Sequence, residues 1–340
     1  MSMLKSPVGQ DLSKGVREIT LGQAIREALA EEMRRDPRVF IIGEDVAEAG
    51  TPFKVLSGLV EEFGPARVID SPISEAGITG LGVGGAMTGM RPVVDIMFGD
   101  FITLAMDQIV NQAAKVHYMS GGKLKVPMVV RTTMGATRRS AAQHSQSLHA
   151  WVSHVPGLKV VLPSTPYDAK GLLKTAIRDD NPVVFFEDKM MYQLKGPVPE
   201  GEYTIPFGVA DIKRPGTDIS IVATSSMVQV ALAAAEMLEQ VGISAEVIDP
   251  RTTFPLDKQT LIESAKKTSR AIVIDEGYER YGVTAELASV IADGAFYYLD
   301  APVKRMGAMD VPVPFSPVLE DQTVPTATTV AELAKTLCGL

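Results

Sequence analysis

Short β-rich apolar runs alternating with longer amphipathic stretches set the strongest limit on how this chain can fold. Residues 38–43 (RVFIIG), 92–96 (PVVDI), 127–131 (PMVVR), 159–162 (KVVL) and 182–186 (PVVFF) read as strands. They are continuously apolar rather than alternating, so both faces must be covered, as in parallel sheets between helical layers. Helical periodicity fills the gaps. Thr20 is a cap for residues 21–36, residues 105–120 form a second candidate, and Thr165 caps residues 166–180 with Pro166 at the first helical position. The pattern predicts an α/β fold.

From Lys195 the texture turns to Gly, Pro and charge without helical period, which reads as a linker over residues 195–217. A second series follows. Its strands are residues 219–223, 245–248, 271–274 and 303–306, and its helices residues 227–241, 257–267 and 283–293. The expected domains are therefore 1–194 and 218–340, which suits the size of typical domains in a chain of 340 residues. This second half offers no obvious catalytic cluster, and no internal repeat or heptad run points to another architecture.

A net charge of −8 without any Lys/Arg cluster argues against nucleic acid as the main ligand. No apolar run reaches the roughly 20 residues of a membrane span, and the N-terminal MSMLKSPVGQDLSKG has no secretory core, so a cytoplasmic protein is expected. One cysteine, Cys338, forms no internal disulfide, and four scattered histidines give no CxxC or HExxH spacing.

The richest stretch for chemistry is SPISEAGITGLGVGGAMTG, residues 71–89, where Glu75 heads a helix-like run of small and aliphatic residues. A carboxylate withdrawn from water costs several kcal/mol unless paired or protonated, which makes Glu75 a candidate for proton chemistry. It reads equally as a helix-end charge beside the dipole. The glycines are no phosphate loop, since no Lys-Ser/Thr ending follows them and no strand leads into a dinucleotide turn. Small residues so spaced let another backbone come close.

Four other places carry candidate chemistry. Glu44, in Gly43-Glu44-Asp45, directly follows a buried strand, where open α/β sheets put ligand-contacting loops. His144 sits in a loop as a possible general acid or base, and Ser145 beside it lacks a GxSxG elbow. Phe98 and Phe101 offer rings for stacking or for the core. The helix end at residues 176–181 (AIRDDN) has free carbonyls suited to a monovalent cation, or is a plain helix end.

Taken together, IGEDV, DSPISEAG, MSGGK, AAQHSQSLHAW, PGLKVVLPSTPYDAKGLL, DNPVVFFEDK and PVPFSPVLED resemble, in order, the beta subunits of the thiamine-diphosphate-dependent first component of 2-oxo-acid dehydrogenase complexes. MFGDF, RTTMGA, YTIPFGVADIKR and the LDAPVKR segment are most similar to the acetoin dehydrogenase branch. The resemblance implies a pyrimidine-binding α/β domain with a parallel sheet, followed by a transketolase-type C-terminal α/β domain. It implies that Glu75 hydrogen-bonds N1′ of the cofactor's aminopyrimidine, that Phe101 packs on that ring, and that Glu44 is an acid near the cofactor. By the same resemblance His144 assists substrate protonation and acyl transfer to a lipoyl group. Met128, Ala176, Ile177, Asp179 and Asn181 match positions that hold a potassium ion in relatives.

The chain has no GDG motif followed by an Asn pair, the arrangement that holds magnesium and the diphosphate in thiamine enzymes. The resemblance thus implies an alpha subunit that supplies those ligands in an α2β2 tetramer, and a lipoyl-bearing acyltransferase as the next partner. Acetoin is the implied substrate, with pyruvate and branched-chain 2-oxo acids as alternatives. A non-catalytic scaffold, a self-sufficient transketolase-like enzyme and a nicotinamide oxidoreductase are the rival classes. Retention of Glu75, Phe101 and His144 disfavours the first, the missing diphosphate motif the second, and the missing GxGxxG turn the third.

Overall fold

The structure, a computed structural model, describes residues 15–340; the N-terminal stretch considered above for a secretory core lies outside them, apart from Gly15. Contacts divide the chain into two compact units. The first holds the residues up to Thr133 and Val155–Phe207, the second Met134–His154 and Gly208–Leu340.

In the first unit, β1 (Val39–Gly43), β2 (Val68–Asp70), β3 (Arg91–Ile96), β4 (Val129–Met134), β5 (Lys159–Val161) and β6 (Val183–Asp188) lie in the order β5-β6-β4-β3-β1-β2. The recorded pairings among them are parallel. Of these, β2 is too short and too polar at its end to have stood out from its loops. Helix α1 (Leu21–Arg35) starts at a capping box in which Thr20 Oγ1 accepts from the Gln23 N–H and Gln23 Oε1 accepts from the Thr20 N–H. Helix α2 is Glu75–Met87, and α3 (Pro166–Arg178) is capped by Thr165. The apolar faces of α1 and α3 share one core with β1, β3, β4 and β6.

The helix expected over residues 105–120 is three pieces: an α-helix at Ile102–Met106, a π-helix at Asp107–Ala113 and an α-helix at Ala114–Met119. Apolar periodicity reports helicity but not whether a bond spans four or five residues.

Three neighbouring strands contribute to a buried cluster of opposite charges. Arg131 on β4 pairs with Asp95 on β3 and, through Nε and Nη2 at 2.6 and 2.8 Å, with both oxygens of Glu187 on β6. Tyr192 Oη donates to Glu187 Oε2 at 2.7 Å. None of the three charged residues is more than 5% exposed. Burial lifts the carboxyls of Asp95 and Glu187 above their ordinary range, opposed by the charge and hydrogen bonds of Arg131.

Helix α2 shows what its glycines are for. A Cβ on Gly82 would run into Val94 Cγ2 and stand 3.0 Å from Met128 Sδ, whereas one on Gly84 would meet nothing within 4 Å. Gly82→Ala should therefore destabilise the isolated chain by about 1–3 kcal/mol through overpacking. Gly84→Ala should stabilise it by about 0.5–1 kcal/mol through helix propensity. Thermal melts of both variants check the pair; equal shifts would contradict the packing.

The second unit contains β7 (Asp211–Arg214), β8 (Ile219–Ala223), β9 (Ala245–Asp249), β10 (Ala271–Tyr278) and β11 (Lys304–Ala308), in the order β11-β10-β8-β9-β7. Only the edge strand β7 runs antiparallel. Helices α4 (Met227–Glu239), α5 (Lys258–Thr268), α6 (Val283–Gly294) and α7 (Ala327–Cys338) complete it, with α7 sharing an Ala-rich core with α4.

Two features differ from a single cut at a linker over residues 195–217. Lys195–Pro199 pairs with Val16–Thr20 in a two-stranded antiparallel ribbon of the first unit, and β7 joins the second unit's sheet. Gly, Pro and charge are what edge strands carry to stay unpaired on one side, so edges and linkers look alike in sequence. Met134–His154 also groups with the second unit, for a reason found in its polar contacts below. Among the described residues no helix is long and apolar enough to cross a membrane.

Candidate active site

Three of the expected site residues follow the carboxyl ends of adjacent parallel strands in the first unit. Glu44 follows β1, Glu75 follows β2 after a short loop, and Phe101 follows β3. The crevice beyond the carboxyl ends of strands is where open α/β sheets bind ligands.

The backbone there is tightly held. A Cβ at Gly43 would come within 2.7 Å of the Asp95 carbonyl and of Val46 Cγ1, so only glycine lets β1 end against β3. The Asp70 carboxylate accepts from the Ala47 N–H at 2.7 Å, and Gly43 O accepts from the Ser71 N–H at 2.9 Å. The ends of β1 and β2 are thereby joined, which brings Glu44 and Glu75 into electrostatic contact. Burial, then the charges of Asp45 and Glu75, raise the Glu44 carboxyl above its ordinary value. Glu75 is 9% exposed and opens α2, whose first-turn dipole favours a negative charge.

Phe101 is half-buried at the end of a 3₁₀ turn, Gly99–Phe101. Its ring meets Phe98 edge-on at 6.3 Å, Phe98 meets Phe53 at 5.9 Å, and Phe53 meets Tyr192 at 5.1 Å. Phe98 stands between the rings of Phe53 and Phe101. The pieces fit the pyrimidine half of thiamine diphosphate: an acid at the strand ends, a second acid beside it, and a half-buried aromatic ring joined to a packed ladder.

The helix end at residues 176–181 is supplied with protein cations. Arg91 Nη1 donates to the carbonyls of Ile177 and Asp179 at 3.0 and 2.9 Å, and Lys159 pairs with the Asp179 carboxylate. The other Asp179 oxygen accepts from the Asn181 backbone and side chain at 2.8 and 2.9 Å. Met128 O accepts from the Val183 N–H, and Ala176 O from the Asp179 N–H. These contacts surround the positions that the resemblance assigns to potassium. Among the described residues no group of three or more His, Cys, Asp or Glu forms a metal site.

His144 belongs to the second unit, half-buried on the Met134–His154 segment. That segment is held by acids that pattern reading passed over. His149 Nε2 lies 3.0 Å from Asp275 Oδ2, with both side chains at most 1% exposed. Thr224 Oγ1 donates to Asp275 Oδ1, and the Gly277 N–H to Oδ2 at 2.8 Å. Burial works to raise the Asp275 carboxyl, but the His149 charge and these hydrogen bonds outweigh it and leave it below the ordinary range. The signal was present: Asp275-Glu276 follows an apolar strand run as Glu44-Asp45 does.

The sequence matches the family profile "Transketolase, pyrimidine binding domain" over residues 17–195 and "Transketolase, C-terminal domain" over residues 208–330. The chain belongs to the beta subunits of the thiamine-diphosphate-dependent first component of 2-oxo-acid dehydrogenase complexes. It is 51% identical over 335 residues to the beta subunit of acetoin:2,6-dichlorophenolindophenol oxidoreductase from Bacillus subtilis, covering 95% of this chain and 98% of that one. It is 50% identical over 321 residues to the pyruvate dehydrogenase E1 component subunit beta of Rickettsia felis, covering 94% and 98%. A solved structure described as a split gene transketolase, inactive beta4 tetramer, has the same fold, with a TM-score of 0.77 at 24% identity over 95% of this chain and 99% of that one.

Proposed function

We propose that the chain is the beta subunit of a cytoplasmic acetoin dehydrogenase, cleaving acetoin and passing the acetyl unit to a lipoyl domain. The observation that carries a catalytic reading is Glu75, buried at the head of α2 beside Glu44 at the carboxyl edge of the sheet. Thiamine diphosphate, when bound, supplies the carbanion stabilisation that the cleavage needs. Glu75 would hold the pyrimidine at N1′ and move a proton there. Glu44 lends its negative field to that exchange, Phe101 fixes the ring by packing on it, and His144 moves a proton at the substrate oxygen. The local likeness in MFGDF, RTTMGA and YTIPFGVADIKR supports acetoin over pyruvate, the alternative.

An alpha subunit in an α2β2 assembly holds the diphosphate and magnesium, and a lipoyl-bearing acyltransferase receives the product. The outer face of α2 supports this partnership: Gly77 and Gly84 are exposed there, as is Leu81, at 62%. Small residues around one apolar anchor let a second backbone approach closely. Gly84→Leu should leave the isolated chain folded yet weaken its assembly with the alpha subunit, as measured by size-exclusion chromatography with light scattering. Unimpaired assembly would remove α2 from the interface.

The substrate assignment is tested by co-expressing the chain with its alpha subunit. Acetoin, pyruvate and a branched-chain 2-oxo acid are each supplied with a lipoyl domain or an artificial electron acceptor. Turnover with acetoin is expected; turnover with pyruvate alone rejects the acetoin reading.

A further inference from the structure

The Met134–His154 segment has an unusual backbone. Gly135, Thr137, Arg139 and Ala141 all have positive φ, at 104°, 66°, 60° and 59°. For the three that are not glycine this costs on the order of 1–3 kcal/mol each, so the segment keeps its shape only if its surroundings hold it there. Two consecutive acids on β10 do so at the two ends. Near the start, the Ala136 N–H donates to Glu276 Oε1, while Glu276 Oε2 accepts from Ser226 Oγ at 2.9 Å. Near the finish, His149 is bound to Asp275, which is fixed in turn by Thr224 and Gly277. Neighbouring residues on a strand face opposite ways, so one pair of acids grips two separate points of a loop. A third acid, Glu320, fully buried, accepts from the Arg139 N–H at 3.1 Å and from its Nη1 at 2.7 Å.

We propose that Asp275 and Glu276 are positioning residues, a two-point clamp that fixes the stretch carrying His144 between Ala136 and His149. The proposal rests on His144 being an acting residue, and it adds where its placement comes from. It also accounts for this segment grouping with the second unit although β4, before it, belongs to the sheet of the first. A misplacement of about 1 Å at a reacting group can cost on the order of 100-fold in rate, so loosening either grip is a kinetic lesion.

The test uses the complex reconstituted with the alpha subunit. His149→Leu and Glu276→Leu each remove one grip, whereas His149→Gln and Glu276→Gln keep an amide able to reach the same partner. Two quantities are read, hydrogen exchange over residues 136–148 and the split between kcat and KM. The leucine variants should exchange faster there, with Ile219–Ala223 as protected as in the parent, and lose about 10–100-fold in kcat at little changed KM. The glutamine variants should recover most of both. Unchanged exchange and kcat in the leucine variants overturn the clamp, as does a loss that glutamine does not restore. If a leucine variant does not fold, His149→Ala or Glu276→Ala, which remove the same grip without adding apolar bulk, carry the same two readouts. A His144→Ala complex separates the two ideas: full activity there removes the reading of His144, while the exchange data still decide whether the clamp exists.

Discussion

Glu75→Gln is expected to leave the chain folded and able to assemble while lowering turnover of the reconstituted complex by about 10²–10⁴-fold, the range for loss of a positioned acid–base group. Glutamine has nearly the shape of glutamate, so packing around a residue only 9% exposed is preserved. The structural cost is confined to a favourable charge at the start of α2, about 0.3–1 kcal/mol. The chemical cost is the loss of a group able to take and return a proton. A second effect accompanies it: without the Glu75 charge, the raised carboxyl of Glu44 should move back towards its ordinary value, visible by NMR titration. Wild-type turnover by a correctly assembled Glu75→Gln complex would falsify the proton role.

The largest effect on stability is expected at Arg131. Arg131→Met leaves Asp95 and Glu187 buried without their counter-charge, which costs about 3–5 kcal/mol when one partner of a buried pair is removed. For a unit of this size that is about 6–20 °C in melting temperature. Burial already pushes both carboxyls upwards, and the loss of Arg131 pushes them further, so at neutral pH the variant must bury charge or take up protons. Replacing all three residues by apolar ones of similar volume should restore much of the loss, because the penalty belongs to the unpaired acids rather than to a missing contact. Calorimetry of the single and triple variants checks both statements. A single variant that melts with the parent would show that the cluster is not the closed, dry network its burial implies.

The positions of functional groups were unevenly legible. Glu44 stood out because it directly follows a strand signal, and Glu75 because it heads a run of small and aliphatic residues that do not share its polarity. Phe98 and Phe101 lie close together, and their residue types alone do not separate them; the resemblance favours Phe101, and the structure places Phe98 between the rings of Phe53 and Phe101. At the 176–181 helix end, spacing shows the carbonyls but does not bring Arg91 to them or Lys159 to the Asp179 carboxylate, since both come from distant parts of the chain. Asp275 and Glu276 were passed over because the residues they hold, His149 and Ala136, are 126 and 140 positions away.

By itself the sequence determined what depends on near neighbours: the long apolar strands, where Thr20 and Thr165 start helices, that two α/β series follow each other, and that an acid heads a glycine-rich helix. These follow from side-chain spacing and backbone preference, which act over a few residues. Only the tertiary structure decided the order of strands, the burial of Arg131 between two acids, the edge strands hidden in an apparent linker, and the attachment of the His144 segment to the second unit. Those depend on which distant groups meet, and burial makes each unpaired charge or N–H expensive enough that the fold must bring its partner from elsewhere in the chain.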